Sequence, residues 1–460
     1  MSSEVSRVVR YEFVLDEALE QMTTTVCFEG PRPDALVAIH EVARGRIVGA
    51  EALGASGSRP LAHAGAIDMR GVELGECVRY RTDLSPRSGR IPNTPDSYRV
   101  GGDLVAPTNV WLWAPEPRVS GTKIFGRFVL PPHVRVSMLW PDAEEGWSEI
   151  DERAFRYVAY AAFGDLERMR VPVPGGCLDV TMLDGALRVD VDGQRRWLGT
   201  AGRAVSRVLG RFPQEWTSVL VVPTPFGHTP VLFGIVGRGQ LPTIALLVSE
   251  SARLEALEPD WTAIHEFTHL ISAYVEEEDA WLTEGLATYY QNVLRAREGL
   301  LTAEEAWTEL VNGFARGQSA GTGLTLEEEA QRVASTFAWT RVYWAGAAMV
   351  FLSDVEYRRR SNGEDSLDHA MVRAADLRNQ TLRASELVRA MDGDSDGIMH
   401  RISEEWLDQS EFPDVSAVFE WLGVVPSEGG VVLVEAPGAE VRDAIMNRDA
   451  PIASNPAGCD

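Results

Sequence analysis

The chain is poor in cysteine and has none of the local cysteine patterns that bind metal. Its four cysteines, Cys27, Cys77, Cys177 and Cys459, are far apart and form no Cys-x-x-Cys pair. This spacing argues against a zinc ribbon and against the dense disulfide framework of a small secreted domain. We therefore expect buried free thiols, although the even number permits two disulfides if the protein is exported.

Long apolar runs are also missing. No run reaches the roughly 18–20 residues that cross a membrane. The first residues, Met-Ser-Ser-Glu-Val-Ser-Arg, lack the basic and then apolar order of a signal peptide. We therefore expect no membrane partner, and the predicted location is the cytoplasm.

Positive charge is in deficit, with 43 Lys and Arg against 68 Asp and Glu and a net charge of −25. Binding to phosphates needs clustered Lys and Arg, so no nucleic-acid partner is expected. The basic run Arg358–Arg360 follows an apolar helical segment and is interpreted as the solvated end of that helix. The hydrophobic fraction of 45% is ordinary for globular proteins, and the length predicts two or three domains.

The first part of the chain has the composition of β-strands. Its predicted strands, rich in β-branched and aromatic residues, lie at 8–15, 23–28, 77–84, 109–113, 123–130 and 134–140. Residues 149–163 have the apolar spacing of a helix. We predict an N-terminal antiparallel β domain over residues 1–165, with that helix leading out of it.

Further along, strands are predicted at 178–182, 218–222 and 244–248, with a helix at 200–211. The Gly-rich stretch before the last strand, Gly234-Ile-Val-Gly-Arg-Gly-Gln240, is typical of a strand edge that another group approaches closely. It is not a Gly-x-Gly-x-x-Gly fingerprint and no Walker lysine follows, so no nucleotide site is expected.

The segment that specifies chemistry is His265-Glu-Phe-Thr-His269. Residues four apart on a helix lie on one face, with Cβ atoms about 5–6 Å apart, so both imidazoles can reach one ion. A catalytic zinc keeps three protein ligands and one open position for water. Glu266, beside the first ligand, can take a proton from that water.

A third ligand is needed, and Glu284 on a second predicted helix is the nearest suitable group. The first helix is predicted to begin near Pro259-Asp260, and the second to run over 280–297. Gly285 lowers helix propensity by roughly 1 kcal/mol relative to alanine, which indicates close helix packing at that point.

Two stretches together carry a family resemblance. His265-Glu-Phe-Thr-His269 followed by Trp281-Leu-Thr-Glu-Gly-Leu-Ala-Thr-Tyr-Tyr290 resembles the gluzincin zinc metallopeptidases, especially the glycyl aminopeptidase family and its leukotriene hydrolase-like aminopeptidase relatives. Arg341-Val-Tyr343-Trp-Ala-Gly346 resembles the region that supplies a catalytic tyrosine in those families.

The resemblance implies an α+β fold in which an antiparallel β domain precedes a thermolysin-like catalytic domain with a mostly helical second half. We place the catalytic domain at residues 166–425 and a short, partly disordered extension at 426–460. It also implies one zinc ion held by His265, His269 and Glu284, with Glu266 as base and Tyr343 as hydrogen-bond donor in the transition state.

The implied activity is hydrolysis of peptide bonds in a peptide or protein substrate, by an aminopeptidase. One departure bears on that specificity, because the strand edge in these families usually carries a glutamate for the substrate amine. Here the candidate substrate-contacting residues are Gly237, Arg238, Gly239 and Gln240, where Arg238 or Gln240 could meet a carboxylate or a peptide carbonyl. A surface loop is the alternative for this stretch.

Three other functions remain open: an endopeptidase of the same fold, a non-peptidase zinc hydrolase, and a non-catalytic interaction protein that retains the fold. The oligomeric state is open as well. Further helices are predicted at 302–315 and 334–357.

A second acidic stretch imitates a calcium loop. Asp392, Asp394 and Asp396, with Gly397 after them, match the front of an EF-hand loop. Ser403 stands where that loop has a bidentate glutamate. We interpret this stretch as an acidic turn that ends a helix, and calcium binding is the alternative.

Overall fold

The computed structural model describes residues 7–87, 96–225, 227–447, 451–456 and 458–459. The fold is α+β, as predicted, with a β-rich N-terminal part and a helical C-terminal half. No helix in the described part of the chain combines the length and the apolar character that a bilayer crossing requires.

The N-terminal part is built almost entirely from strands. Its elements are β1 (Val8–Leu15), β2 (Gln21–Glu29), β3 (Ala35–Ala38), α1 (Glu41–Arg44), β4 (Ile47–Gly54), β5 (Gly57–Pro60), β6 (Ala66–Asp68), β7 (Cys77–Asp83), β8 (Tyr98–Val100), β9 (Asp103–Pro107), α2 (Thr108–Trp111), β10 (Trp113–Glu116), β11 (Lys123–Val129), β12 (Arg135–Val136), β13 (Ser148–Glu149) and β14 (Tyr160–Gly164).

Three sheets arise from these strands, in the orders β13-β11-β1-β2-β7-β4-β5, β10-β3-β6 and β12-β14-β9-β8. Strand β1 alternates between half-buried and buried side chains, as a strand with one face on a core must. Its pairing with β11 is parallel, whereas the other strand pairings among the described residues of these three sheets are antiparallel.

The second half begins with a mixed sheet and continues as helices. Its elements are β15 (Glu167–Val173), β16 (Gly176–Met182), α3 (Val191–Leu209), β17 (Trp216–Thr224), β18 (Val231–Gly237), β19 (Thr243–Ser249), α4 (Leu254–Leu257), α5 (Thr262–Thr268), β20 (Tyr274–Val275), α6 (Ala280–Arg297), α7 (Ala303–Ser319), α8 (Leu326–Gln331), α9 (Val333–Thr336), α10 (Trp339–Arg360), α11 (Leu367–Arg373), β21 (Thr381–Leu382), α12 (Ala384–Asp392), α13 (Ile398–Leu407), α14 (Ser416–Leu422), β22 (Val424–Ser427), β23 (Gly430–Leu433) and α15 (Ala439–Met446).

The mixed sheet has the strand order β15-β16-β17-β19-β18, so β18 is an edge strand. Helix α6 is buried around almost its whole circumference, which fits its place at the centre of the helical half. The sheet, α3, α5 and α6 share one large hydrophobic core, and the β-rich part has another. A third, smaller core, which includes Tyr160 and Leu247, joins β8, β9 and β14 to β17 and β19.

Some local predictions are wrong because long-range pairing decides the structure. Residues 149–163, predicted helical, contain a 3₁₀ turn at Glu152–Phe155 and then strand β14, which pairs with β9. Most of the strand predicted at 109–113 is occupied by helix α2, and only a two-residue strand, β12, forms within 134–140.

The expectation of free thiols is also wrong. Cys27 and Cys77 lie opposite each other on β2 and β7, and their Cα atoms are 4.4 Å apart in a disulfide. Cys177 on β16 pairs with Cys459 of the C-terminal tail, at a Cα separation of 5.7 Å. Their sequence separations of 50 and 282 residues explain why the sequence shows no pairing pattern.

Candidate functional site

Helices α5 and α6 bring together the three predicted metal ligands. The Nε2 atoms of His265 and His269 lie 3.3 Å and 3.6 Å from Oε2 of Glu284. The imidazole rings of the two histidines are 4.9 Å apart, edge to face. Among the described residues, these three form the single group of side chains whose ligand atoms could hold a metal ion.

The helix that carries both histidines is short and buried. The Asp260 carboxylate accepts a hydrogen bond from the backbone N–H of Thr262 at 2.9 Å, which supports the predicted start. The helix ends at Thr268, with His269 as its C-cap. Arg238 donates a hydrogen bond to the carbonyl oxygen of His269 at 2.8 Å.

Glu266 points between α5 and the edge strand β18. A Cβ atom at Gly234 would lie 2.4 Å from Cγ of Glu266, so only glycine leaves room for this side chain. Burial raises the pKa of Glu266 to about 7, against the opposing effect of His265. A carboxyl group that exchanges its proton near neutral pH suits a general base.

The histidines differ in their electrostatics. Burial lowers the pKa of His269 to about 3, so its imidazole is neutral and has a lone pair that can bind a metal ion. At His265 burial also lowers the pKa, but the Glu284 hydrogen bond and the charges of Glu266 and Glu284 together raise it above its usual value. In Glu284 burial is again the largest effect, yet the histidines and Tyr343 hold the carboxyl pKa below normal.

Tyr343 faces the ligands from α10. The charge of Glu284 acts on its phenol, and its ring stacks on His265 at 6.2 Å between centroids. Burial and the Glu284 charge raise the Tyr343 pKa well above normal, which keeps its hydroxyl protonated as a donor. The placement is the one that the sequence predicts for this side chain, while its role in the reaction stays a prediction.

Helices α6 and α10 touch through glycines next to these two residues. A Cβ atom at Gly285 would lie 2.5 Å from the carbonyl carbon of Gly346, and one at Gly346 would lie 2.0 Å from the Trp281 oxygen. The close packing expected from Gly285 is therefore present. It fixes the distance between the helix of Glu284 and the helix of Tyr343.

Gln291 contacts His265 but is not among the site residues predicted from the sequence. Its Oε1 atom lies 2.8 Å from Nδ1 of His265, so the amide accepts that N–H and leaves Nε2 of His265 free to bind metal. Gln291 follows Glu284 by about two helical turns on α6, a spacing that places it on the same helix face. That spacing is a signal that could have identified it.

The four predicted substrate-contacting residues, 237–240, have two different environments. Gly237 and Gly239 pack so closely on Val158 and Ala159 that an added Cβ would meet atoms at 2.9 Å and 2.7 Å. Gln240 accepts from the backbone N–H of Asp151 at 3.0 Å and donates to the Glu149 carbonyl at 2.9 Å. Gly237, Gly239 and Gln240 therefore lie at the contact between the two halves of the protein.

Arg238 alone of that stretch approaches the metal ligands. Its guanidinium donates to His269 and lies over the Tyr274 ring at 5.1 Å. Burial lowers its pKa to about 10, so the side chain stays cationic at neutral pH.

The acidic turn does not converge on an ion. Asp392 ends α12 and is buried, and its carboxylate accepts from the backbone N–H groups of Met399 and His400 at 2.9 Å and 3.0 Å. Tyr357 donates to the same carboxylate at 2.5 Å. Asp394 and Asp396 are exposed. The Asp392 side chain caps α13, which matches the interpretation as a helix-ending turn.

The donor set of the α5–α6 site fits zinc. Two imidazoles and one carboxylate are a ligand set that catalytic zinc sites use. The hydrogen bond from His265 to Gln291 supplies the outer partner that such a histidine usually has.

The chain has the fold of the M1 zinc metallopeptidases. It matches an aminopeptidase N family protein from Idiomarina loihiensis with a TM-score of 0.71 and 15% identity, over 92% of this chain and 80% of that one. The M1 zinc metallopeptidase from Deinococcus radiodurans matches at 0.56 and 14% identity, over 89% and 94% of the two chains.

The LTA4 hydrolase of yeast also matches, with a TM-score of 0.55 and 11% identity over 88% of this chain and 68% of that one. No protein-family model matches the sequence, and the search of curated proteins finds no match. At these identities the likeness concerns the fold alone.

Proposed function

We propose that the protein is a zinc-dependent peptidase. The observation that carries the proposal is the convergence of His265, His269 and Glu284, with Glu266 beside them and Tyr343 across the site. An inactive relative that kept only the fold would have no need to retain a base, a phenol donor and a complete ligand set together.

Each side chain has a task in this proposal. A zinc ion held by the three ligands supplies Lewis acidity, which polarises a peptide carbonyl and lowers the pKa of water. Glu266 takes the proton of the attacking water and passes it to the leaving amine, for which a pKa of about 7 is suited. Tyr343 donates a hydrogen bond to the developing oxyanion. Gln291 keeps His265 in the tautomer that binds metal.

We extend the proposal to aminopeptidase activity on the strength of the neighbours. The Idiomarina protein is described as an aminopeptidase N family protein, and a variant of the Deinococcus enzyme is described as bound to a Tyr-Ser-Ala substrate. Against this, β18 and the stretch up to Gln240 contain no carboxylate that could hold a free amine. An endopeptidase therefore remains the second candidate.

The test combines metal analysis with a substrate panel. We expect about one zinc per chain, activity lost to a chelator and restored by zinc, and cleavage of amino-acid arylamides. Glu266→Gln is the matched variant: it should keep zinc and lose about 10²–10⁴-fold in turnover. Full turnover by that variant would contradict the proposed base. Cleavage of blocked peptides alone would indicate an endopeptidase, and cleavage of esters or epoxides alone a different hydrolase.

The compartment is a separate proposal. The sequence predicts the cytoplasm, but two disulfides are typical of proteins in an oxidising environment. We therefore propose that the protein works where disulfides persist. Titration of thiols in protein taken from its native cells decides the matter, since four reactive thiols after denaturation would restore the cytoplasmic prediction.

A further inference from the structure

Three arginines lie close to one another, and one of them, Arg238, contacts the predicted metal ligand His269. We call Arg153, Arg156 and Arg238 the arginine cluster. Arg153 and Arg156 come from the 3₁₀ turn of the β-rich half and the residue after it, and Arg238 follows strand β18 of the other half. These three cations belong to a protein with a net charge of −25.

Two members of the arginine cluster, Arg238 and Arg156, pack on aromatic rings. The Arg238 guanidinium lies over Tyr274 at 5.1 Å, and Arg156 lies over Tyr157 at 5.5 Å. The two tyrosine rings pack edge to face at 5.6 Å. Rings that support guanidinium groups in this way orient the N–H donors without neutralising the charge.

No ion pair neutralises the arginine cluster within the part of the chain that the structure describes, although the charge of Arg153 acts on the nearby Asp151 carboxylate. Among the described residues, none of the three arginines forms an ion pair, and Nε of Arg153 is buried without a hydrogen-bond partner. The nearby Asp151 carboxylate accepts from the backbone N–H groups of Arg153 and Ala154. Arg156 is exposed, whereas Arg153 and Arg238 are partly buried.

The cluster is coupled to the metal site. Arg238 donates to the carbonyl oxygen of the ligand His269, and its charge acts on both Glu266 and Glu284. A carboxylate of a bound substrate that meets Arg238 is therefore held beside the reacting groups. A free ammonium group at the same place would be repelled by the unpaired cations.

We propose that the arginine cluster is a carboxylate-binding subsite, so that the preferred substrates are peptides with a carboxylate next to the scissile bond. Guanidinium groups bind carboxylates through paired, charge-assisted hydrogen bonds, which give orientation as well as affinity. The inference rests on the proposed peptidase function. The carboxylate comes either from an acidic side chain or from the peptide C-terminus, two sources with the same chemistry.

The experiment measures binding rather than turnover. Zinc-supplemented protein carrying Glu266→Gln is titrated by calorimetry with two pairs of short peptides. One pair differs only by glutamate against glutamine at a single position, with the C-terminus amidated. The other pair differs only by a C-terminal carboxylate against a C-terminal amide, with no acidic side chain. The pair that discriminates identifies the source of the carboxylate.

We expect the acid member of one pair to bind at least about tenfold more tightly than its neutral partner, and less so at high salt. Adding Arg238→Gln should bring the two members within about twofold of each other, because a neutral amide can still donate to His269 but cannot pair with a carboxylate. Arg238→Lys should retain part of the preference.

Arg360→Gln is the control for loss of one positive charge. Arg360 is an exposed arginine paired with Glu356 at the far end of α10, and its removal should leave the preference intact. The proposal is overturned if neither pair discriminates, if discrimination survives Arg238→Gln, or if Arg238→Gln weakens both members of a pair equally. That last result would mean that Arg238 caps the end of α5 and does not bind the substrate carboxylate. Absence of hydrolysis by the unmodified protein would refute the peptidase proposal without affecting this binding result.

Discussion

The α5–α6 helix pair and the turn after α12 both carry closely spaced metal-ligating side chains, but the two regions use them differently. In the first, His265, His269 and Glu284 face one another, and the nearest outer partner, Gln291, leaves the inner nitrogen of His265 free. In the second, Asp392 turns its carboxylate to backbone N–H groups and to a tyrosine hydroxyl.

The difference shows what makes a group of carboxylates or imidazoles a metal site. Spacing along the chain brings candidate ligands near each other, but lone pairs that already accept protein hydrogen bonds are not available to a cation. A helix N-terminus competes with an ion for the same oxygen atoms, because it also offers positive charge. Four substitutions test this distinction.

The largest effect is expected from Glu284→Ala. Removing the third ligand leaves two histidines, and we expect loss of bound zinc together with loss of hydrolysis. Zinc content and turnover measured on the same preparation check this. Full zinc occupancy would place the third ligand elsewhere, although the neighbouring Glu276 is already paired with Arg383 at 3.0 Å.

Tyr343→Phe should keep the metal and reduce turnover by about 10²–10³-fold, the usual effect of removing one donor to an oxyanion. The reduction should appear in kcat more than in KM, because the hydrogen bond to the substrate forms in the transition state. Unchanged kcat would make Tyr343 a packing residue.

Gln291→Leu should weaken zinc binding by about 10–100-fold, as losses of an outer partner of a metal-binding histidine do. Competition with a chelator of known affinity measures this change. Gln291→Glu, which still accepts from His265, is the control and should retain most of the affinity.

The smallest effect is expected from a substitution in the turn after α12. Asp392→Asn should lower the free energy of unfolding by about 1–3 kcal/mol, because a buried acceptor of backbone hydrogen bonds loses its charge. Thermal or urea unfolding gives the value, and zinc content should not change. Millimolar calcium should not shift the midpoint, whereas a shift that Asp394→Asn removes would establish a calcium site.

Much of the site could be predicted from the sequence because its information is local. Two histidines four apart and a glutamate, each within an amphipathic segment, predict two helices from neighbouring residues alone, and the predicted range of the second helix agrees with α6. The rest depends on distant partners. Strand β14 forms by pairing with β9, and Cys177 finds Cys459 almost at the other end of the chain.

At Gly234 the sequence predicted a strand edge that another group approaches closely, but it did not identify the group. That group is the Glu266 side chain, which lies on another element. The arginine cluster is likewise assembled from two halves of the chain that no local pattern connects.

The contact between Gly285 and Gly346 has a consequence for how variants of this protein are interpreted. Neither residue can bind a metal, move a proton or touch a substrate, yet together they set the separation of Glu284 from Tyr343. A single methyl group added at either position would push the two helices apart. In an activity screen such a variant would be indistinguishable from one that had lost a reacting group, although every reacting group would still be in the chain.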